Sequence, residues 1–433
     1  MTRGFYFFYA SIFAPLIIAF LQIFYFLWPK KLQLVLKFKK QAWPLVPAII
    51  KESSTPQSLT FWIHAASGEL EYARPVLRQL RDRYPKALLL VTYSSPSVQN
   101  LLKKMQGEYD LAVPAPWDTT NHLTKFLDYF QPQILFIART DVWPAMVKES
   151  KLKGLKVILF SATFSAPRSG IWRWLSSFVF SPIDQIFCVS AEDQKNALSF
   201  IDAHKLKVLG DTRYDQVLWR LQQKPPWLDQ LEPWKNEKIF IAGSTWPEDE
   251  KILFAAFENI KQYGFKIILA PHEVHADKIV KTLTQFKTMN LQVLLWSHFL
   301  TLPVNDQASH LKNCAVLLVD QVGILADLYS LSMVAFVGGS FKHKVHSVME
   351  PLAAGNVVLV GPHHHNNREA LVAKNVHLKL SGLNVVHEIQ NSSDIQEIFL
   401  KIQKADPADI KSFIKEYVAQ QSGASQQLVD LVL

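Results

Sequence analysis

The chain has 433 residues, enough for two domains of ordinary size, and 49% of them are hydrophobic, which excludes wholesale disorder. Its formal net charge of +9 favours anionic partners such as membrane lipid, a phosphorylated substrate or nucleic acid. The two cysteines, Cys188 and Cys314, exclude a disulfide scaffold and suit a reducing compartment.

The first predicted element is an apolar helix over Phe5 to Trp28, which carries no charged residue. Its length matches the roughly 20 apolar residues that cross a bilayer. A cleaved signal peptide is the alternative, but the apolar run is long and no small-x-small site follows it. Only Arg3 precedes the run, whereas five lysines follow it, so the body of the protein is expected in the cytoplasm with these lysines against anionic headgroups. They are Lys30, Lys31, Lys37, Lys39 and Lys40.

Strand-like and helix-like segments then alternate, which predicts a parallel sheet covered by helices. The strand candidates are residues 58–65, 87–94, 134–138, 156–161 and 183–190. Residues 69–84 and 120–130 have the periodicity of amphipathic helices.

Residues 221–237 hold three prolines and little periodicity, which predicts an interdomain linker. The alternation restarts after it, with strand candidates at 238–244, 265–271, 291–297, 314–320, 333–339 and 356–362. We therefore predict an α/β protein with a membrane anchor and basic segment over 1–40 and two Rossmann-like domains, 41–222 and 223–433, facing a cleft.

Chemistry is expected directly after the strands. In the first domain Ser67, Gly68 and Glu69 follow one strand, and Arg139 and Asp141 follow another. Glu69 is interpreted either as a first-turn acid that interacts with the helix dipole or as a general base for an alcohol nucleophile.

The second domain places polar residues and glycines after its strands in the same way. Ser347 and Glu350 have the spacing of a capping box, while Gly338 and Gly339 predict close approach of a ligand to the backbone. Free N–H groups at that helix start suit an anion such as phosphate. The run His363 to His365 lacks the spaced partners of a zinc site, and no Walker loop or GxGxxG is present.

Taken together, these motifs resemble the 3-deoxy-D-manno-octulosonic acid (Kdo) transferase family of lipopolysaccharide synthesis, membrane-anchored glycosyltransferases of the GT-B fold. The resemblance runs from the N-terminal anchor to about residue 370 and rests on the order and spacing of short motifs. The strongest matches are 242–245, 338–340, 346–351 with 353–355, and 361–363 with Asn366 and Glu369; weaker ones are 210–215, 323–325 with Leu328 and Tyr329, and Trp143 with Pro144.

The resemblance implies an inverting transfer of Kdo from CMP-Kdo, held by the C-terminal domain, to a lipid A precursor at the N-terminal domain. It implies that Glu69 is the general base, that Ser67, Gly68, Arg139 and Asp141 lie on the acceptor side, and that no metal or other cofactor is needed. It places the protein at the inner (plasma) membrane, single-pass, with cytoplasmic catalytic domains. The implied donor-binding residues are Ser244, Thr245, His272, Glu273, Gly323, Gly339, Ser340, His346, Ser347 and Glu350, the last holding the ribose hydroxyls.

The chain departs from the family pattern mainly on the acceptor side. Ser67, Gly68 and Glu69 are contiguous where the family has one more residue, and Arg139-Thr-Asp141 stands for Glu-Thr-Glu. An arginine beside Glu69 would favour the charged carboxylate and weaken it as a base. Residues 161–163 are Ser-Ala-Thr where the family has Asn-Ala-Arg, and Ser347 replaces an asparagine.

Two other functions are compatible with these residues. The first is a transferase that uses a different acceptor or a related CMP-activated acid sugar, which the Arg139 change suggests. The second is a non-catalytic CMP-sugar-binding membrane scaffold, which would bind CMP without turnover and tolerate Glu69→Gln. Nucleic acid is not expected as a partner, because no aromatic-basic RNA signature or DNA-binding motif is present.

Overall fold

The computed structural model describes residues 2–24, 26, 28–42, 59–378 and 382–433. Contacts divide the chain into two compact units: unit 1 is Met1–Gln216 with Gln421–Leu433, and unit 2 is Val217–Gln420. Each unit contains a seven-stranded parallel sheet with helices, which confirms the predicted pair of α/β domains.

Unit 1 is built on strands whose order is β3-β2-β1-β4-β5-β6-β7. They are short, mostly apolar runs, and β1 and β4 are buried along their whole length, as parallel strands covered on both faces require. Because all neighbours are parallel, the carboxyl ends of these strands lie at one edge. The strands are β1 (Thr60–His64), β2 (Leu88–Tyr93), β3 (Leu111–Pro114), β4 (Ile134–Ala138), β5 (Lys156–Ala162), β6 (Gln185–Cys188) and β7 (Leu206–Val208).

Helices of unit 1 such as α4, α6 and α7 bury apolar side chains, whereas α8 buries none of its residues. The second predicted amphipathic helix, residues 120–130, is α6 (Thr120–Phe130). The Thr119 hydroxyl caps its start, and Gln131, which has a left-handed backbone, follows its end. The helices are α4 (Leu70–Arg83), α5 (Gln99–Lys104), α6 (Thr120–Phe130), α7 (Pro144–Leu152), α8 (Gly170–Phe180), α9 (Ala191–Ala197) and α10 (Thr212–Gln222), with short 3₁₀ turns at Pro96–Val98 and Ala203–Lys205.

The N-terminal apolar segment is helical, as predicted. It comprises α1 (Thr2–Phe8), a π turn (Tyr9–Phe13) and α2 (Ala14–Ile23), and α3 (Lys30–Ala42) follows. Residues Gly4–Ile23 have a mean hydropathy of 2.0 and are long and apolar enough to cross a membrane. In the structure this helix also contacts unit 1: the Tyr6 hydroxyl donates to Glu149 at 2.7 Å, and the Tyr9 hydroxyl to Asp118 at 2.8 Å. The side chains of the predicted headgroup lysines 31, 39 and 40 lie outside the described residues.

Unit 2 repeats the architecture with the order β10-β11-β9-β8-β12-β13-β16 and a separate antiparallel pair, β14 and β15. Its strands are β8 (Lys238–Thr245), β9 (Phe265–Pro271), β10 (Val293–Leu295), β11 (Val316–Leu318), β12 (Val334–Val337), β13 (Val357–Val360), β14 (His377–Leu378), β15 (Leu383–Asn384) and β16 (Val386–Glu388). Its helices are α11 (Pro247–Gln262), α12 (Ala276–Thr288), α13 (Trp296–Thr301), α14 (Val304–Asn313), α15 (Leu325–Leu328), α16 (Met349–Ala353), α17 (Arg368–Ala373), α18 (Ser392–Gln403) and α19 (Pro407–Ala419), with 3₁₀ turns at Pro226–Trp234 and Tyr329–Leu331.

Three features differ from the sequence prediction. The segment predicted as a linker contains the 3₁₀ helix Pro226–Trp234, whose Leu231 and Trp234 are buried in the core of unit 2. The strands β3, β7, β14, β15 and β16 were not predicted; they have two to four residues each, and no long apolar run surrounds them.

The third difference concerns the chain end, which was predicted to belong to the second domain. Helix α20 (Ala424–Val432) instead belongs to unit 1, where Leu428 and Val429 join the core. The Asp215 carboxylate fixes its start, because it accepts the N–H groups of Gly423 and Ser425. An amphipathic helix carries no signal for which of two similar sheets it will cover, so the sequence left this undecided.

Candidate active site at the strand ends

The predicted acceptor-side residues lie at the carboxyl edge of the unit 1 sheet. Strands β1 and β4 are neighbours there, and the strand order reverses between them, which is where ligands bind in doubly wound sheets. His64 ends β1 and is fully buried. Its Nε2 lies 3.1 Å from the Asp141 carboxylate, and its Nδ1 lies 2.9 Å from the Thr92 hydroxyl. This bonding holds Asp141 at the edge, and the sequence analysis did not identify His64 or Thr92 as partners.

Glu69 lies at the turn between β1 and α4, immediately before the first residue of the helix. Its carboxylate accepts the backbone N–H of Ser67 at 2.9 Å, and the side chain is half-buried. The Ser67 hydroxyl in turn lies 3.3 Å from that of Ser97. The contiguous Ser-Gly-Glu thus closes into a tight turn that holds one carboxylate oxygen and keeps Glu69 at the sheet edge.

Arg139 contacts an aromatic ring of unit 1. The residue has a left-handed backbone, with φ of 65°, and its guanidinium lies over the Tyr72 ring at 4.9 Å. In the described part of the chain no ion pair joins Arg139 to Glu69. Arg213 lies over the same ring at 5.9 Å, so two guanidinium groups contact Tyr72. The expected weakening of Glu69 as a base stays a prediction.

Asp249 organises the corresponding edge of unit 2. Its fully buried carboxylate accepts three backbone N–H groups, from Trp246 at 2.9 Å, Gly339 at 2.7 Å and Phe341 at 3.0 Å. Strands β8 and β12 are neighbours at the reversal of strand order, so this one side chain fixes the loops that follow both. Asp249 was not predicted; an acid two residues after Pro247 at a helix start was the available signal.

The glycines after β12 have a structural explanation that differs from ligand approach. A Cβ on Gly338 would lie 2.1 Å from the Ser244 carbonyl oxygen, and Gly339 has φ of 87° with the Lys344 oxygen 2.3 Å from its Cβ position. Both positions therefore require glycine for contact between main chains. Ser340 is fully buried, and its hydroxyl donates to Val337 and accepts from Gly361.

Three planar rings stack at this edge. Trp246 lies 4.6 Å from His272, and His272 lies 4.6 Å from His346, at nearly parallel angles. The Lys342 ammonium lies 3.4 Å from the centre of the Trp246 ring. Burial lowers the pKa of His346, and the neighbouring His272 and Lys344 add to the effect. The stack is thus neutral at its inner end and cationic at Lys342.

The remaining predicted donor-binding residues differ in burial and in their contacts. Ser347 and Glu350 do contact each other, but the serine hydroxyl donates to the carboxylate, and α16 starts after Val348, so the predicted capping box is wrong. Thr245 is fully buried and donates to Glu250, whereas Gly323 and Glu273 are exposed. Ser244 has a left-handed backbone, with φ of 54°. Thus His272, His346 and Gly339 gather around Trp246, and Ser340 and Thr245 support the loops.

The described residues contain no group of three His, Cys, Asp or Glu side chains arranged to hold a metal ion. What the two edges offer chemically is the Glu69 carboxylate and two guanidinium groups over Tyr72 in unit 1, and stacked rings, a lysine and a second carboxylate in unit 2. The first set suits proton removal beside an anionic group, and the second suits a nucleotide.

Comparison with known proteins shows what the chain is similar to. Residues 28–216 match the family model described as 3-deoxy-D-manno-octulosonic-acid transferase (kdotransferase). The chain is 25% identical over 394 residues to the 3-deoxy-D-manno-octulosonic acid transferase of Haemophilus influenzae, covering 88% of each chain. It is 27% identical over 353 residues to the enzyme of that name from Rickettsia felis, covering 79% of this chain and 71% of the relative.

The fold is similar to that of solved glycosyltransferases. A glycosyltransferase from Rickettsia africae superposes with a TM-score of 0.54 at 12% identity, covering 86% of this chain and 97% of that one. This likeness confirms the predicted GT-B fold of two parallel-sheet domains. The chain is therefore similar to Kdo transferases along most of its length, with the family model matching residues 28–216 in unit 1.

Proposed function

We propose that this chain is an inverting glycosyltransferase that moves Kdo from CMP-Kdo to a lipid A precursor in lipopolysaccharide inner-core synthesis. The observation that carries the proposal is Glu69, a carboxylate at the switch-point edge of unit 1, positioned by the Ser67 N–H. Only one of its oxygens has a partner among the described residues, so the other is available for an acceptor proton.

In this mechanism the Glu69 carboxylate removes the proton from a hydroxyl of the acceptor. The oxygen attacks the anomeric carbon of Kdo, the bond from that carbon to the CMP phosphate oxygen breaks, and CMP leaves with inversion at the carbon. Arg139 and Arg213 provide guanidinium groups for a phosphate on the acceptor, because guanidinium matches phosphate in geometry and charge. Asp141, held by His64, positions the β4 loop from which Arg139 projects.

We assign the donor to the edge of unit 2. Lys342 provides positive charge over the Trp246 ring, which stacks with the exposed His272, and this charge suits the phosphate and carboxylate of CMP-Kdo. The half-buried Glu350 carboxylate, oriented by Ser347, suits the ribose hydroxyls. No metal enters this assignment, since charge neutralisation comes from basic side chains.

We further propose that the protein works at the cytoplasmic face of the inner membrane and contacts anionic lipid. Besides the apolar N-terminal helix, α8 exposes Ile171 and Trp172 at 62% and 65%, next to the exposed Arg168 and Arg173. Aromatic and basic side chains together are typical of a surface that meets headgroups. The single crossing of the bilayer stays a prediction, because Tyr6 and Tyr9 bind unit 1.

The second candidate function is transfer to a different acceptor, and the observation that favours it is Arg139. In place of a family glutamate this chain presents a cation on Tyr72, which changes the charge that the acceptor meets. A scaffold without catalysis would share the donor edge but would not need Glu69.

The test is turnover by the full chain in detergent, given fresh CMP-Kdo and a tetraacyl lipid A precursor, with products identified by mass spectrometry. Glu69→Gln should lower the rate by about 10² to 10⁴, the usual contribution of a general base, while CMP binding persists. Glu71→Gln, two residues further on, is the matched control and should retain activity. Undiminished transfer by Glu69→Gln, or CMP binding by the wild-type protein without any transfer, would contradict the proposal.

A further inference from the structure

A cavity lies between the N-terminal helix and the carboxyl edge of the unit 1 sheet. Its volume is about 240 Å³. The helix contributes Ala14, Ile17, Ile18 and Leu21, spaced so that they form one face. The sheet edge contributes the loops after three strands, in particular Ser94, Ala115 to Asp118, Trp143 and Met146.

The charged group of this cavity is already paired. The Asp118 carboxylate accepts the Tyr9 hydroxyl at 2.8 Å and the backbone N–H groups of Ala145 at 3.1 Å and Met146 at 2.8 Å. The rest of the wall is almost entirely hydrocarbon and indole. Such a space does not favour water; an engineered apolar cavity of about 150 Å³ stays dry and takes up benzene.

The cavity borders the proposed acceptor residues. Trp143, 42% exposed at its rim, is two residues from Asp141, which His64 holds at the edge of β1 and β4. Ser94, another lining residue, directly follows β2, the neighbour of β1. The cavity therefore lies at the same edge of the sheet as Glu69.

The outer face of the same helix is apolar and exposed. Leu16, Phe20 and Ile23 are 63%, 51% and 73% exposed, and none of them lines the cavity. Against a membrane, this helix would separate the lipid from the cavity by the thickness of one helix, about 10 Å, with apolar side chains on both faces. A hydrocarbon chain is the ligand that can pass from one side to the other without losing polar contacts.

We propose that this cavity binds one end of an acyl chain of the acceptor lipid, so that the chain positions the sugar hydroxyl at Glu69. The proposal rests on the proposed function, because it names a binding site for the acceptor of that reaction. Transfer of hydrocarbon from water to an apolar site contributes about fourfold in affinity for each methylene group buried. Two or three buried methylene groups would account for a preference of roughly 16- to 60-fold for an acylated acceptor.

The first test fills the cavity. Leu21→Trp places a larger side chain inside it, and Leu16→Trp makes the same substitution on the exposed face of the same helix. Full-length protein in phosphatidylethanolamine and phosphatidylglycerol vesicles is assayed with the tetraacyl precursor and with its fully deacylated sugar. We expect Leu21→Trp to raise KM for the acylated acceptor at least tenfold, with no change for the deacylated one, and Leu16→Trp to behave as wild type.

The second test does not depend on turnover. A dodecanoic acid with a terminal diazirine is photolysed with the wild-type protein and both variants, and labelled peptides are mapped by mass spectrometry. Label on residues 94–118 or 143–146, lost in Leu21→Trp and kept in Leu16→Trp, supports the site even if no Kdo is transferred. Kdo transfer with the same acyl dependence in all three proteins, and no label in those peptides, would overturn the site while leaving the proposed function intact.

Discussion

Replacing Asp249 by asparagine should loosen the edge of unit 2 to which we assign the donor, in a way that can be calculated from the three contacts of its carboxylate. The carboxylate accepts two N–H groups at one oxygen, from Trp246 and Gly339, and one at the other, from Phe341. Asparagine has one acceptor oxygen, so its best rotamer keeps two of these bonds and turns its NH₂ group towards the Phe341 N–H.

The expected loss of stability comes from the Phe341 N–H, which loses its acceptor. A hydrogen bond to a charged group contributes about 1.5–3 kcal/mol, and a buried donor without a partner costs about 1–3 kcal/mol. Removing a buried charge offsets part of this sum. We therefore expect a loss of about 3 kcal/mol, which corresponds to roughly 150-fold more frequent opening of the β12 loop.

The assay is amide hydrogen exchange of the full chain, read by mass spectrometry on peptides that contain Gly339 and Phe341. Asp193→Asn is the matched control, since Asp193 is 3% exposed in unit 1 and accepts the backbone N–H groups of Ser190 and Phe164. The control should speed exchange near 164 and leave 339–341 unchanged. Exchange at Gly339 and Phe341 within threefold of wild type in Asp249→Asn would refute this reasoning.

Three other outcomes follow from the structure. Burial, with Lys401 nearby, lowers the pKa of His387 to about 4, so on acidification the unfolded chain binds a proton before the folded chain does. The free energy of unfolding, measured by urea denaturation, should therefore be highest above about pH 6.5 and fall by about 3 kcal/mol by pH 4. His387→Gln should remove this pH dependence. Asp141→Asn should lower kcat for transfer about tenfold or more with CMP affinity unchanged, because only the unit 1 edge is disturbed; equal loss of CMP binding in calorimetry would contradict this. Gly4→Cys should react with a membrane-impermeant maleimide only from the side that carries unit 1, because Tyr6 and Tyr9 bind Glu149 and Asp118; labelling only from the opposite side would establish the single crossing.

Most strands of the two sheets, and the edges at which polar residues collect, could be predicted from the sequence alone. Apolar runs of strand length, separated by amphipathic segments, have one low-energy arrangement, a parallel sheet with helices on its faces. The residues after β1, β4, β8 and β12 could therefore be singled out before any coordinates, and Glu69 does lie at such an edge. This information is local, because it depends on periodicity and on neighbours in the chain.

Only the tertiary structure decided what each of those residues contacts. Arg139 lies over Tyr72, and the pairing of His64 with Asp141 joins residues 77 positions apart. Asp249 bonds Gly339 and Phe341 about 90 residues away, and α20 returns to unit 1. Such a contact forms only if the ends of two strands bring donor and acceptor to about 3 Å from each other, the length of a hydrogen bond. Periodicity specifies which strands form, whereas packing of the whole sheet sets that distance.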